Sequence, residues 1–272
     1  MSGERDGTFI ATKEHRRFTE FAEAVRKHRY IGLCYGSAGV GKTLSARRYA
    51  HWDQAEPLIQ NWDRRHPSQA KVKAALARSR TVFHTSAVLG TLRDLRETLK
   101  HNIGRVETCI DDHLHRHVKG CRVITSCEFV VEMLIFDEAE RLSVTALEFI
   151  RDLFDRTGVG IILIGMPGME KRLSRYPQLY SRVGFAHHYR NLQGDELSFV
   201  LTRHWRKLGL TLDEADFTDT QAIASIARIT GGNFRLLHRL FVQIERILKI
   251  NGLSVVTDDV VEAARSTLVI GT

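Results

Sequence analysis

Apolar residues gather in four short blocks, Ile31–Tyr35, Thr81–Ala87, Val130–Phe136 and Val159–Ile164, each bounded by glycine or polar residues. Segments with helical spacing of apolar positions lie between them, and this alternation predicts a parallel sheet covered by helices. After about Asn191 the strand-like blocks stop and the period becomes helical, over Asp195–Leu208, Asp219–Ile229, Asn233–Ile250 and Asp258–Leu268, several opened by a capping-type Asp or Asn. The expected organisation is a helical lead-in over residues 1–30, an α/β body over 31–191 and a small helical domain over 192–272. Only four prolines interrupt the 272 residues, and no connecting stretch is repetitive or of low complexity, so no disordered linker is expected.

Composition narrows the class only a little. With 43% hydrophobic residues the chain can bury one principal core and a smaller second one. Lys and Arg number 40 against 32 Asp and Glu, a net charge of +8 with a pI near 9.5, which fits a polyanionic partner without identifying it. Cys34, Cys109, Cys121 and Cys127 show no paired spacing, and no apolar leader opens the chain, so a disulfide framework is not expected and the cytoplasm is the expected compartment. No apolar run approaches the roughly 18 residues that span a bilayer, so no membrane partner is expected.

Chemistry concentrates first at Gly36-Ser37-Ala38-Gly39-Val40-Gly41-Lys42-Thr43. The block Ile31–Tyr35 precedes it and a helical stretch, Leu44–His51, follows. Strand, glycine loop and helix are the context a phosphate loop needs, because its backbone N–H groups must converge at the positive end of a helix. Lys42 would reach the β- and γ-phosphates of a nucleotide, and the Thr43 hydroxyl would hold Mg²⁺. A phosphate loop alone neither completes the metal shell nor orients a water. Met133-Leu-Ile-Phe-Asp137-Glu138 supplies the missing carboxylates at the end of a buried strand: Asp137 for Mg²⁺ and Glu138 for activating the attacking water.

With these two motifs the chain resembles AAA+ ATPases, P-loop proteins whose parallel α/β sheet carries a C-terminal helical lid domain. The resemblance implies ATP and Mg²⁺ as cofactors, ATPase activity, and nucleotide contacts along Gly36–Thr43 and at Leu44. It also implies an arginine finger at Arg182, within Tyr180-Ser-Arg-Val-Gly-Phe185, offered to the γ-phosphate of a neighbouring subunit. Arg235, within Gly231-Gly-Asn-Phe-Arg-Leu-Leu237, resembles the lid arginine that senses the γ-phosphate. One position departs from the pattern: Val159–Ile164 ends in Gly165-Met166-Pro167, where the class places a polar sensor, and Met166 cannot hydrogen-bond water or phosphate strongly. Slow or partner-dependent hydrolysis is the expectation.

The opening Thr8–Tyr30, the line Glu132–Leu142, the Arg182 box and Gly-Gly-Asn-Phe-Arg together resemble the TniB/TnsC regulators of DNA transposition, relatives of Mu B. That likeness implies a ring or helical oligomer on double-stranded DNA, bound without regard to sequence, which marks a target and works with a transposase and a target-selector protein. The separation of 95 positions from Lys42 to Asp137 (137 − 42) leaves room for a DNA element. Within them Leu92–Val106 carries Arg93, Arg96, Lys100, His101 and Arg105, and loose alignment with the family places Arg93, Arg105 and Thr108 near backbone-touching positions. Arg93 and Lys100, with Arg105 and Thr108, are the candidate DNA contacts. Asp94 and Glu97 are interleaved and leave open an ordinary solvated face. A helicase or clamp-loader type of remodeller, and a filament scaffold with little turnover, stay open as alternatives. Cys109, His113, His115, His117, Cys121 and Cys127 invite a zinc reading, yet the i, i+2 histidines spread around a helix and no second paired half exists, so polar surface histidines are expected instead.

Overall fold

The computed structural model describes residues 9–62, 69–115 and 130–268. Its centre is an all-parallel sheet of five strands in the order β2-β3-β4-β1-β5, with β1 Ile31–Tyr35, β2 Thr81–Thr85, β3 Met133–Asp137, β4 Gly160–Gly165 and β5 Val183–His188. The interior strands β1, β3 and β4 are almost wholly buried, as near-continuous apolar runs demand when helices cover both faces. Chain order differs from spatial order, so helical crossovers separate the strands: α2 Lys42–Tyr49, α3 Trp52–Gln60, α4 Ala70–Ser79, α5 Leu92–His115 and α6 Val144–Thr157. Two short helices, α7 Met169–Leu173 and α8 Pro177–Tyr180, lead into β5.

Contacts divide the chain into two compact units, one formed by Arg17–Gly36 with Lys42–Tyr189, the other by the described residues before Arg17 with Ser37–Gly41 and the chain from Arg190 onward. In the first unit the helix α1, Lys13–His28, from Arg17 onward turns Phe18, Phe21, Ala22 and Val25 inward at helical spacing. It lies so close on β1 that a Cβ at Gly32 would come within 2.5 Å of Val25 and 2.7 Å of Phe21. Each fully buried Leu, Ile or Phe of this core contributes roughly 1.5–3 kcal/mol.

The second unit is helical: α9 Asp195–Lys207, α10 Phe217–Thr230, α11 Phe234–Asn251 and α12 Asp258–Ser266. Trp205, Leu237, Leu240, Phe241 and Ile244 are among the residues of its separate core. Asn233 caps α11 by accepting from the N–H groups of Arg235 and Leu236. Three caps differ from the sequence expectation: Gly194 rather than Asp195 precedes α9, Asp216 rather than Asp219 opens α10, and Thr257 rather than Asp258 opens α12. Asp219 is instead buried, accepting from the Trp205 indole at 3.3 Å and the Asp213 N–H at 2.8 Å. Strand β5 was not among the expected blocks, since Val183-Gly-Phe-Ala-His-His188 is an edge strand alternating between half-buried and exposed positions.

Candidate functional site

Beyond the last residue of β1, Gly36 admits no side chain: a Cβ there would stand 2.2 Å from the Tyr189 carbonyl oxygen. Gly39 and Gly41 take φ of +81° and +113°, a region that favours glycine. The loop then enters α2, whose first turn carries no acid to oppose an anion at its positive end. Ser37 and Ala38 are exposed, Val40 is buried and Leu44 is 43% exposed. Buried Lys42 donates from Nζ to the Gly36 carbonyl at 2.6 Å, folding its side chain back along the loop.

Thr43 Oγ1 donates to Asp137 Oδ2 at 2.8 Å, a contact joining residues 94 apart in sequence. Asp137 closes β3, and its second oxygen accepts from the Glu138 N–H at 3.0 Å. Burial pushes the Asp137 carboxyl above its ordinary pKa, while the Thr43 hydroxyl and the Glu138 N–H work against that rise. A hydroxyl and a carboxylate meeting at the start of a helix form a hard-oxygen pair suited to Mg²⁺, with Asp137 supplying the charge.

Glu138 adopts the left-handed conformation at φ +54°, unusual for a side chain of its size. Its carboxylate is ion-paired with Arg141, at the end of the short 3-10 turn Ala139–Arg141. Arg141 also donates to the Ser86 carbonyl at 3.3 Å, and Arg172 donates to the carbonyls of Glu140 and Leu142, pinning the turn. Ser86 follows β2 directly; its N–H donates to the Asp137 carbonyl at 3.0 Å, and its buried Oγ has no partner among the described groups. Sequence reasoning missed Arg141 and Ser86 as neighbours of Glu138. Only the i, i+3 spacing of Glu138 and Arg141 offered a signal. Met166, just past β4, is 38% exposed.

Arg182 stands immediately before β5, where its carbonyl accepts from the Ile31 N–H at 3.1 Å. Its guanidinium grips Asp155 of α6 with both arms, Nε to Oδ1 at 2.5 Å and Nη2 to Oδ2 at 2.7 Å, and also donates to the Gln178 carbonyl. Arg151 pairs with the same Asp155 at 2.8 Å. The Arg182 hydrogen bond holds the Asp155 carboxyl below the usual carboxylate range.

In the helical unit, Arg235 donates its backbone N–H to the Gly39 carbonyl at 3.0 Å, and Asn233 donates from Nδ2 to the Ala38 carbonyl at 2.7 Å. The Arg235 side chain is exposed. Gly232 carries φ +72°, and a Cβ there would stand 2.0 Å from the Leu192 carbonyl oxygen, so the two glycines before Asn233 shape the turn that delivers α11 to the loop.

The candidate DNA residues lie along α5 in different circumstances. Arg93 is exposed and paired with Glu97 at 2.9 Å, and Lys100 is exposed. Arg105 donates to the Ile59 carbonyl and sits 4.9 Å from the centre of the Trp62 ring, while Thr108 donates to the Gly104 carbonyl at 2.7 Å. Arg96 lies 4.9 Å over the Phe149 ring. Of the residues weighed for zinc, His117, Cys121 and Cys127 lie outside the described residues, and among those described no group of three His, Cys, Asp or Glu gathers as a metal site. No described helix is long and apolar enough to cross a membrane.

Known proteins resemble this chain. The chain is 42% identical over 273 residues, 98% of each chain, to a potential ATP-binding protein of Staphylococcus aureus. It is 25% identical over 243 residues to the Mu-like prophage FluMu DNA transposition protein B of Haemophilus influenzae, covering 86% of this chain and 71% of that one. The Thermotoga maritima RuvB Holliday junction branch migration motor superposes with a TM-score of 0.54 at 16% identity, over 95% of this chain and 69% of that chain, a likeness of fold. The AAA domain family matches residues 25–173, more than half of the chain, and the protein, with its five-stranded parallel sheet and phosphate loop, belongs to that family.

Proposed function

We propose that this protein binds ATP and Mg²⁺ on the loop Gly36–Thr43 and assembles with copies of itself on double-stranded DNA. In this reading it regulates DNA transposition, marking a target and recruiting a transposase, and hydrolysis dismantles the assembly. The observation that carries the nucleotide part is the 2.8 Å contact between Thr43 and Asp137, which brings both expected Mg²⁺ ligands to one point. Lys42 and the loop N–H groups bind the β- and γ-phosphates, and Leu44 and Arg235 complete the nucleotide contacts. Bound Mg²⁺ neutralises charge developing on the phosphate oxygens.

Hydrolysis then needs a water in line with the γ-phosphorus. Glu138 takes its proton once the carboxylate exchanges Arg141 for that water, and the β–γ bridging oxygen leaves with ADP. Arg182 serves the γ-phosphate of a neighbouring copy, after giving up Asp155. The transposition role is supported by the relationship to the Haemophilus influenzae DNA transposition protein B. Duplex contact is assigned to Arg93 and Lys100, with Arg105 and Thr108 farther along the helix, as phosphate contacts that carry no base reading.

Lys42→Ala tests the switch: without that cation, ATP-dependent assembly on duplex DNA should disappear, read by sedimentation or electron microscopy. ATP-dependent oligomers formed by the variant would refute it. A second reading, an ATP-bound scaffold with little turnover, is favoured by the apolar Met166 at the sensor position. Phosphate release indistinguishable from zero with and without DNA and transposase would select it.

A further inference from the structure

We infer that α11, the lid helix that begins at the phosphate loop, is a phosphate-tracking surface for nucleic acid, in addition to α5. The inference rests on the duplex-binding reading above. Arg235, Arg239, Val242, Arg246 and Lys249 are all exposed and recur at steps of four, three, four and three. At 3.6 residues per turn they share an arc of about 80° and extend over about 21 Å of helix axis. Leu237, Leu240, Phe241, Ile244 and Leu248 hold the opposite face in the core, so the stripe's direction is set by packing.

Pairing sets the two helices apart. On α5, Arg93, Arg96, Lys100 and Arg105 stand among five acids, Asp94, Glu97, Glu107, Asp111 and Asp112. Three of those cations are already engaged, with Glu97, with the Phe149 ring, and with the Ile59 carbonyl and Trp62. On α11 four cations face one acid, Glu245, which is taken up by Lys249 at 2.6 Å. The guanidinium groups of Arg235, Arg239 and Arg246 have no acidic partner among the described residues. Such a row of unmatched guanidinium groups, relieved only by Val242, lacks the apolar centre of a protein interface. It suits a regular polyanion, whose condensed counterions are released as cations replace them.

The helix also has a defined start. Asn233 and the Arg235 N–H hold the carbonyls of Ala38 and Gly39, so the stripe runs outward from the phosphate loop itself. One helix thus presents Arg235 beside Ala38 and Gly39, with Arg239 and Arg246 farther along its axis.

The test is binding of the full chain to a fluorescent duplex of unrelated sequence, with a non-hydrolysable ATP analogue, across a salt series. Arg239→Gln/Arg246→Gln should weaken binding roughly tenfold near 0.1 M salt and make the slope of log affinity against log salt shallower by about 2. Arg239→Lys/Arg246→Lys should keep the slope, and unchanged melting would show that both variants fold. An unaltered affinity and slope in the Gln variant overturns the inference. So does loss of nucleotide-dependent self-association without DNA, which would assign the stripe to another copy of the chain. If the wild-type protein binds no duplex at low salt, the duplex-binding reading itself fails.

Discussion

Thr43 and Asp137 share a hydrogen bond that a divalent ion would replace by binding to both oxygens, so the pair is pre-positioned by the strand-loop-helix backbone. Glu138 is held in a left-handed conformation that costs of order 1 kcal/mol, with Arg141 as its ion partner. Away from the site, His204 is buried and stacked 4.3 Å from Phe241, and its Nε2 has no partner among the described residues. Burial first, then the nearby charges of Lys207 and His238, push its pKa down to about 4. Folding therefore favours the neutral ring, and the stability this supplies is whole above the unfolded value of about 6.5 and is lost as pH falls from there toward 4. Between pH 7.5 and pH 5 the loss should be about 2 kcal/mol. His204→Phe, which keeps an aromatic stack on Phe241, should flatten that acid limb in thermal melts taken at the two pH values.

At the scale of elements, α6 and the approach to β5 are linked by the grip of Arg182 on Asp155. A solvent-screened pair of this kind adds little to stability, so its importance lies in what Arg182 is free to touch. Asp155→Asn should leave the melting temperature nearly unchanged while lowering several-fold the protein concentration at which ATP-dependent assembly is half complete. Light scattering against concentration would check it, and a higher midpoint would mean that Asp155 aims the arginine instead of restraining it. The interior strands and the phosphate loop were legible in the sequence because each is one contiguous run whose residue types have a single use. Strand β5 was not, since an edge strand of Val-Gly-Phe-Ala-His-His gains its place from pairing with β1 rather than from its own apolar content. The Glu138 and Arg182 surroundings were hidden for another reason: Ser86 lies 55 residues from Arg141 and Asp155 lies 27 residues from Arg182, and no local period links them. The α11 cations stood in plain view, yet only the packed face of the helix shows that they form one exposed row.

For the whole molecule, the central claim is that each active site takes its last cation from a neighbouring copy. No single chain then turns over ATP efficiently, and activity depends on protein concentration as well as nucleotide. The most direct measurement mixes two inactive variants that keep the phosphate loop, Glu138→Gln with an intact Arg182 and Arg182→Ala with an intact Glu138, and follows phosphate release on duplex DNA. Alone, each should be at least tenfold slower than wild type; mixed in equal amounts they should recover about a quarter of the wild-type rate, the share of random neighbours joining an intact Glu138 to an intact arginine. A mixture no faster than the sum of its two components would contradict the claim.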